Sequence, residues 1–416
     1  MVDGTNEPSW QPLIVDPARS AAITGAIIDI VSGIDAWRRD HTTTSDDDAD
    51  YATLRIYTAT DDTVPDIEDE TGRALSDAIA KLGERHAPGL YGGAARVAFA
   101  VGHLSAGEDA DMACEMIERS LLNFLARPTE VYDLISGLVG IAVPVLQRIA
   151  DSKSSPVSEP LARNILDQLS RLARPMETGI AWFTPPELLP AWQREVAPDG
   201  YTNLGLAHGV PGVVAILARY VTAGVDAARA QLLLDGAVAY LRSVAGPKPG
   251  MRYPAWLPTR PDWSTRVAWC YGDLGVSVAL LAAATAAERS DWRDDALALA
   301  HGMADRSFET SQVNDTGLCH GAAGVAHLFN RLAQATGDTA LAAAADRWFD
   351  RTLAMRRDDG IAGFPRAAPS DGTVKWEPDA DLLNGAAGVA LALHAAISPI
   401  EPAWDQVLLA DLSPSR

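Results

Sequence analysis

Two cysteines and a histidine stand beside repeated glycines in this sequence. Cys270 lies two residues before Gly272, and Cys319 and His320 directly precede Gly321. Two thiolates and an imidazole form a ligand set of catalytic zinc sites, in which a fourth tetrahedral position stays open for water or substrate. Soft thiolates also favour zinc over magnesium or calcium. The pattern predicts a zinc centre, although buried structural roles for these three residues remain open at this point.

A second histidine occupies a similar position. His208 directly precedes Gly209 and is expected to face the same cavity as the predicted zinc ligands. It could be a fourth ligand, or a general acid or base beside an open zinc position. The remaining cysteine, Cys114, lies away from every repeated glycine and is expected to be structural.

Three further polar residues lie near the same glycines. Asp133, Arg266 and Tyr271 could orient His208 or balance charge near the metal, but capping and solvated roles fit them equally well. Asp273, which follows Gly272, could be an acidic residue in the first turn of a helix.

All these residues border a Gly-x-x-Gly motif that recurs along the chain. An apolar stretch of helical length follows each copy, so each glycine pair predicts the start of a buried helix. Small residues at a helix start allow close backbone approach, and the loops before them should therefore meet. The six copies begin at Gly89, Gly137, Gly209, Gly272, Gly321 and Gly385.

Repeated helical hairpins of this kind predict an all-α fold, a double-ringed α/α barrel with apolar helices inside and amphipathic helices outside. We expect a single domain over residues 1–416, with an irregular insertion around residues 175–203 that covers one mouth. The acidic runs at residues 45–50 and 61–70 are expected to be solvated loops.

Bulk composition excludes several classes of protein. With 34 basic and 55 acidic residues, the net charge of −21 disfavours binding to nucleic acid or to anionic lipid. No membrane span and no secretory signal are recognised in the sequence, and three cysteines give no disulfide framework. We expect a cytoplasmic protein whose cysteines act as free thiolates or ligands.

The segments Trp269-Cys270-Tyr271-Gly272 and Cys319-His320-Gly321, with Leu206-Ala207-His208-Gly209 upstream, resemble the lanthionine synthetase C-like proteins, and among them the stand-alone cyclases of class I lanthipeptide pathways. The resemblance implies an α/α toroid of seven inner and seven outer helices. Since six repeat starts are recognised, we expect the seventh inner helix in the N-terminal 80 residues.

The resemblance also implies roles for single residues. It assigns one zinc ion to Cys270, Cys319 and His320, and catalysis to His208, Asp133, Arg266 and Tyr271. The implied reaction is intramolecular Michael-type addition of a precursor-peptide cysteine thiol to dehydroalanine or dehydrobutyrine, which forms a lanthionine or methyllanthionine ring.

The implied partners are a dehydrated precursor peptide, a lanthipeptide dehydratase and an exporter, so the protein could associate with a membrane-attached biosynthetic complex. Two alternatives remain: a zinc-containing, glutathione- or thiol-binding or regulatory member of the same fold, and an α/α-barrel glycosidase that uses carboxylates such as Asp133 and Asp273.

Overall fold

The computed structural model of the chain describes residues 10–59, 64–83, 86–247, 250–259, 265–370 and 373–414. Most of this part of the chain is helical, and the short strands form three two-stranded antiparallel sheets, each made of two consecutive strands. The helices are α1 (Pro17–Asp40), α2 (Ser45–Tyr57), α3 (Val64–Lys81), α4 (Ala94–Leu104), α5 (Glu108–Phe124), α6 (Leu138–Ala150), α7 (Ser158–Leu172), α8 (Ala191–Val196), α9 (Val210–Ala223), α10 (Ala227–Val244), α11 (Asp273–Ala286), α12 (Ser290–Ala304), α13 (Phe308–Ser311), α14 (Ala322–Thr336), α15 (Thr339–Ala354) and α16 (Ala386–Ile397). The strands are β1 (Arg174–Pro175), β2 (Ile180–Ala181), β3 (Thr202–Asn203), β4 (Trp256–Leu257), β5 (Arg366–Ser370) and β6 (Thr373–Glu377), and two 3-10 helices cover Pro186–Leu188 and Ala403–Leu408.

Seven of the described helices form a closed inner ring. In ring order they are α2, α4, α6, α9, α11, α14 and α16, and α16 packs against α2 to close the circle. Each inner helix packs against one outer helix, in the pairs α2–α3, α4–α5, α6–α7, α9–α10, α11–α12, α14–α15 and α16–α1. The predicted toroid is confirmed, and its seventh inner helix is α2, within the N-terminal 80 residues.

The glycine pairs act at the starts of the inner helices. In five repeats the first glycine is the N-cap, and the second lies in the first helical turn. A Cβ atom on that second glycine would lie 1.9–2.4 Å from a backbone carbonyl oxygen six residues earlier in the chain. Only glycine fits there, because the loop folds back directly onto the helix.

The first repeat differs from this arrangement. The N-cap of α4 is Gly93, so the predicted start at Gly89 is wrong by four residues. Arg96 then stands where the other repeats have their second glycine. Its guanidinium is buried and pairs with Asp50 on α2, with a distance of 2.8 Å between Nε and Oδ1.

The loops before the inner helices meet at one mouth of the toroid, as expected. The backbone N–H of each loop donates to a carbonyl of the next loop over 2.8–3.5 Å, and this ladder runs through the predicted site residues. The five bonds are Tyr91 to Ile135, Leu134 to Ala207, Ala207 to Cys270, Cys270 to Cys319, and Cys319 to Leu383.

Side-chain carboxylates continue this ladder at α2. Leu382 N–H donates to Asp50 Oδ2 over 2.8 Å, and Gly92 N–H donates to Asp46.

The expectation of a solvated loop at residues 45–50 is wrong. Thr44 caps this segment in a capping box, and the carboxylates of Asp48 and Asp50 are buried. Ion pairs permit this burial. In the second acidic run, residues 64–70 begin α3, whereas Asp61 and Asp62 lie outside the described residues.

The C-terminal segment, residues 403–412, fills the centre of the ring. Trp404 and Asp405 are fully buried, and Asp405 pairs with Arg331 and His327 of α14. Trp269 Nε1 donates to Leu408 O over 2.8 Å, and Tyr91 Oη donates to Val407 O over 3.0 Å. The segment therefore joins repeats that lie far apart in the sequence.

An irregular insertion and a long apolar helix complete the fold. Residues between α7 and α9 form β1, β2, a 3-10 turn, α8 and β3 over one mouth, as predicted. By length and composition α1 could span a membrane, but its buried isoleucines, including Ile23, Ile27, Ile30 and Ile34, form a face that packs as the outer partner of α16.

Candidate metal centre and adjoining cavity

The structure brings Cys270, Cys319 and His320 together at the loop-bearing mouth. One potential ligand atom from each lies within 4.8 Å of the other two. Cys270 is buried, and Cys319 and His320 are partly buried. The backbone bond from Cys270 N–H to Cys319 O holds the two cysteine-bearing loops side by side. A compact set of two sulfurs and one imidazole fits a tetrahedral zinc ion that has one open position.

The electrostatics of the two thiols also suit a cation. The hydrogen bond with Cys319 lowers the pKa of Cys270 well below the usual range of a thiol against the effect of burial, and His320 and Arg266 act in the same direction. The same hydrogen bond, together with burial, raises the pKa of Cys319. The pair therefore loses its first proton more readily than an ordinary thiol does, and a metal ion would favour loss of the second proton.

Asp315 contacts the histidine of this group, a feature that the sequence analysis missed. Its Oδ2 lies 3.2 Å from Nε2 of His320, and its carboxylate is mostly buried. Burial lowers the pKa of His320, but the hydrogen bond with Cys270 and the charge of Asp315 raise it overall. The spacing of Asp315, six residues before Gly321, is a signal that a residue-by-residue comparison of the repeats could have found.

His208 and Asp133 form a pair on neighbouring loops. Asp133 Oδ2 lies 2.6 Å from Nδ1 of His208, and its Oδ1 accepts the N–H of Ser136 over 2.9 Å. Burial lowers the pKa of His208, but the hydrogen bond and charge of Asp133 raise it overall, with a smaller contribution from Cys270. Asp133 therefore fixes the ring and favours its protonated form.

Tyr271 lies beside this pair. Its ring centroid is 6.3 Å from that of His208, and its hydroxyl accepts a hydrogen bond of 3.2 Å from Asn203 Nδ2. Burial raises the pKa of Tyr271, which keeps the phenol protonated. Asn203 is a second residue that the sequence analysis missed, and it lies in β3, where the pairing with Trp256 positions it.

The remaining predicted residues are placed differently. Arg266 is exposed, and its charge acts on Cys270, Cys319 and His320. Asp273 begins α11 and accepts the N–H groups of Arg252 and Tyr253, each over 2.9 Å. These bonds give Asp273 a role in holding a loop, so the structure does not support its pairing with Asp133 as a glycosidase dyad. Cys114 is buried between helices, where burial raises its pKa to about 11.

A cavity of about 400 Å³ opens at this site. Asp133, His208 and Tyr271 line this cavity, and side chains of the insertion form another part of its wall. The imidazole of His208, whose protonated form Asp133 favours, and the phenol of Tyr271 therefore face one cavity, and Tyr271 follows Cys270 directly in the chain. The insertion residues of the wall include Thr184, Leu188, Leu189, Pro190, Gln193 and Tyr201.

Comparison with known proteins gives two findings. The model of the lanthionine synthetase C-like protein family matches residues 51–409. Among solved structures, nisin cyclase superposes with a TM-score of 0.75 at 19% sequence identity, over 94% of this chain and 98% of that one. No sequence in the search of curated proteins matches the chain.

Proposed function

The chain belongs to the lanthionine synthetase C-like family, and from that premise we propose that it is a zinc-dependent lanthipeptide cyclase. The observation that carries the proposal is the group of Cys270, Cys319 and His320 beside a cavity that contains the His208–Asp133 pair. The proposed substrate is a precursor peptide in which serines and threonines have been dehydrated. The proposed product is the peptide with thioether rings.

The three residues of the metal group would hold zinc through two sulfurs and one nitrogen. When bound, the zinc would lower the pKa of a substrate thiol, about 8.5 in free cysteine, so that a thiolate is available at neutral pH. The insertion wall, which includes Leu188, Leu189 and Pro190, would exclude water and keep the reacting groups together. The same wall would hold the peptide over the mouth.

The reaction forms one carbon–sulfur bond and moves one proton. The substrate sulfur attacks the β-carbon of the dehydro residue, and the electron pair of the double bond moves towards the neighbouring carbonyl. His208 then gives a proton to the α-carbon, and Asp133 holds the ring and stabilises its charged form. The proton lost by the thiol equals the proton gained by carbon, so the overall reaction is an isomerisation.

The developing negative charge on the carbonyl oxygen needs stabilisation. Tyr271 lies in the same cavity, and its hydroxyl accepts from Asn203, so its own O–H remains available to donate. We assign this role to Tyr271, and we assign long-range charge balance to the exposed Arg266.

The chemistry of the substrate defines the proposed partners. A dehydratase must act before this protein, because the β-carbon is electrophilic only after water has been lost, and an exporter would act after ring formation. We propose that the three proteins work together on the cytoplasmic side of a membrane. The strong negative charge of the chain favours a neutral or cationic peptide.

A synthetic peptide with one cysteine and one dehydroalanine tests the proposal. The wild-type protein should make the cysteine resistant to alkylation, with no change in peptide mass, faster than in a sample without protein. Cys319→Ala should lose stoichiometric zinc and this acceleration but keep its helical circular dichroism. Cys114→Ala, a buried cysteine away from the site, should keep both.

Two results would contradict the proposal. Full acceleration by a zinc-free Cys319→Ala protein would remove the metal from the mechanism. Stoichiometric zinc with no ring formation on any dehydrated peptide would favour the thiol-binding alternative.

A further inference from the structure

Three loops at the mouth carry an Asn or Asp six residues before the N-cap glycine of an inner helix. In each, Oδ1 of that side chain accepts the backbone N–H two residues later, which closes a tight turn. The three bonds are Gly205 N–H to Asn203 (2.9 Å), Gly317 N–H to Asp315 (3.2 Å) and Asp381 N–H to Asp379 (2.9 Å).

The second polar atom of each side chain reaches a different group. Asn203 Nδ2 donates to the hydroxyl of Tyr271. Asp379 Oδ2 lies 3.1 Å from the guanidinium of Arg366, and Asp315 Oδ2 lies 3.2 Å from Nε2 of His320. This loop position therefore supports the backbone with one atom and holds another side chain with the second.

We propose that Asp315 is a positioning residue that prepares His320 for the metal ion. Its carboxylate Oδ2 lies 3.2 Å from Nε2, and this negative charge favours a proton on that nitrogen, which leaves Nδ1 available as a ligand. Histidines that bind metals usually donate their other N–H group to a carboxylate or carbonyl, and this bond fixes the tautomer and the ring orientation. The inference deepens the proposed function, because it concerns the same metal group.

The substitution Asp315→Asn separates the two roles of the side chain. The amide oxygen can still accept from Gly317 N–H, so the turn is kept. The amide nitrogen then faces Nε2 as a donor and favours the tautomer with the proton on Nδ1. We expect zinc affinity, measured by competition with a chromophoric chelator, to fall roughly 10–100-fold. The visible spectrum of the cobalt-substituted protein should also change.

Asp379→Asn is the matched control. It makes the same change at the same loop position of the next repeat, where the partner is Arg366 and no predicted metal ligand. Its zinc affinity should stay within about twofold of wild type, since the typical effect of such an outer partner is tenfold or more. Equal losses in both variants would show that the turn matters and the tautomer does not, which overturns the proposal.

A double-mutant cycle tests whether Asp315 acts through His320. In a His320→Ala background, Asp315→Asn should cause little further loss of zinc affinity, because the ring that it orients is absent. Unchanged affinity of Asp315→Asn in the wild-type background would overturn the proposal. If that variant does not fold, Asp315→Ser keeps an acceptor for Gly317 N–H and should show the same loss.

The zinc-affinity measurements are made without a peptide substrate, so they are independent of ring formation. A protein that needs Asp315 for zinc but makes no rings would contradict the cyclase proposal alone. A protein that makes rings but binds zinc independently of Asp315 would contradict only this inference.

Discussion

At the scale of residues, the loops use one carboxylate for two tasks. Asp133 accepts Ser136 N–H with one oxygen and contacts His208 with the other. Asp381 occupies the corresponding position, four residues before a repeat glycine, and accepts the N–H groups of Asn384 and Gly385. A residue that caps a loop in one repeat thus orients a functional side chain in another.

The Asp133–His208 pair predicts a pH dependence. A proton donor works in its protonated form, and Asp133 raises the pKa of His208 above its usual value, so activity should fall as the pH rises through this raised pKa. Asp133→Asn removes the charge and should move this alkaline limb to lower pH, with a rate loss on the order of 10²–10⁴-fold at neutral pH. The pH profile of kcat/KM measures both effects.

The control for this experiment is Asp381→Asn. It changes the same loop position without a histidine partner, so the position of the alkaline limb should not move. An Asp133→Asn protein with the wild-type pH profile would exclude His208 as the proton donor controlled by Asp133.

At the scale of elements, close contact between each loop and its own helix decides where the site residues stand. Gly324 lies in the first turn of α14, and a Cβ there would lie 1.9 Å from the carbonyl oxygen of Leu318. That oxygen belongs to the residue before Cys319. The second glycine of the repeat therefore sets the distance between the ligand loop and the inner helix.

Substitution of this glycine should be costly. Gly324→Ala should lower the free energy of unfolding by roughly 1–3 kcal/mol, because backbone has to move to admit the methyl group. Gly302→Ala, in the exposed face of α12 with no atom within 4 Å of the new Cβ, should instead raise it by about 1 kcal/mol. Urea titrations of the two variants give both values, and equal effects would exclude the close contact as the reason for the motif.

At the scale of the whole molecule, the C-terminal segment ties the ring together through its centre. Asp405 contacts Arg331 and His327 with every partner fully buried. Burial raises the pKa of Asp405, but Arg331 and His327 lower it overall. The folded-state pKa lies below that of an unfolded aspartate, so this stabilisation is complete above the unfolded value of about 3.9 and is lost as the pH falls through the folded value.

Removal of this carboxylate should therefore destabilise the whole toroid. Asp405→Ala leaves a buried arginine without its main partner and should lower the free energy of unfolding at pH 7 by roughly 3–5 kcal/mol. The difference from wild type should shrink under acidic conditions. Glu159→Gln, which removes an exposed pair with Arg163, should change stability by less than about 1 kcal/mol. A small loss of unfolding free energy in Asp405→Ala would mean that the C-terminal segment does not stabilise the ring.

Several features could be predicted from the sequence because they follow from local spacing. A glycine pair before an apolar stretch specifies a helix start that admits close packing, and five of the six starts lie where the spacing predicted them. The position of Cys270, Cys319, His320 and His208 relative to those glycines predicted that they share one mouth. The number of inner helices was predicted from the resemblance to the family.

Other features depended on contacts between residues far apart in the chain, and only the tertiary structure decided them. The acidic run at residues 45–50 reads as solvated, because its burial depends on partners that include Arg38, Lys81 and Arg96. How the ring closes likewise decides the position of the C-terminal segment, the Asn203–Tyr271 bond and the Asp315–His320 contact. Local sequence sets where a helix begins and which side chains flank it, but the closure of seven helices decides which of those side chains meet.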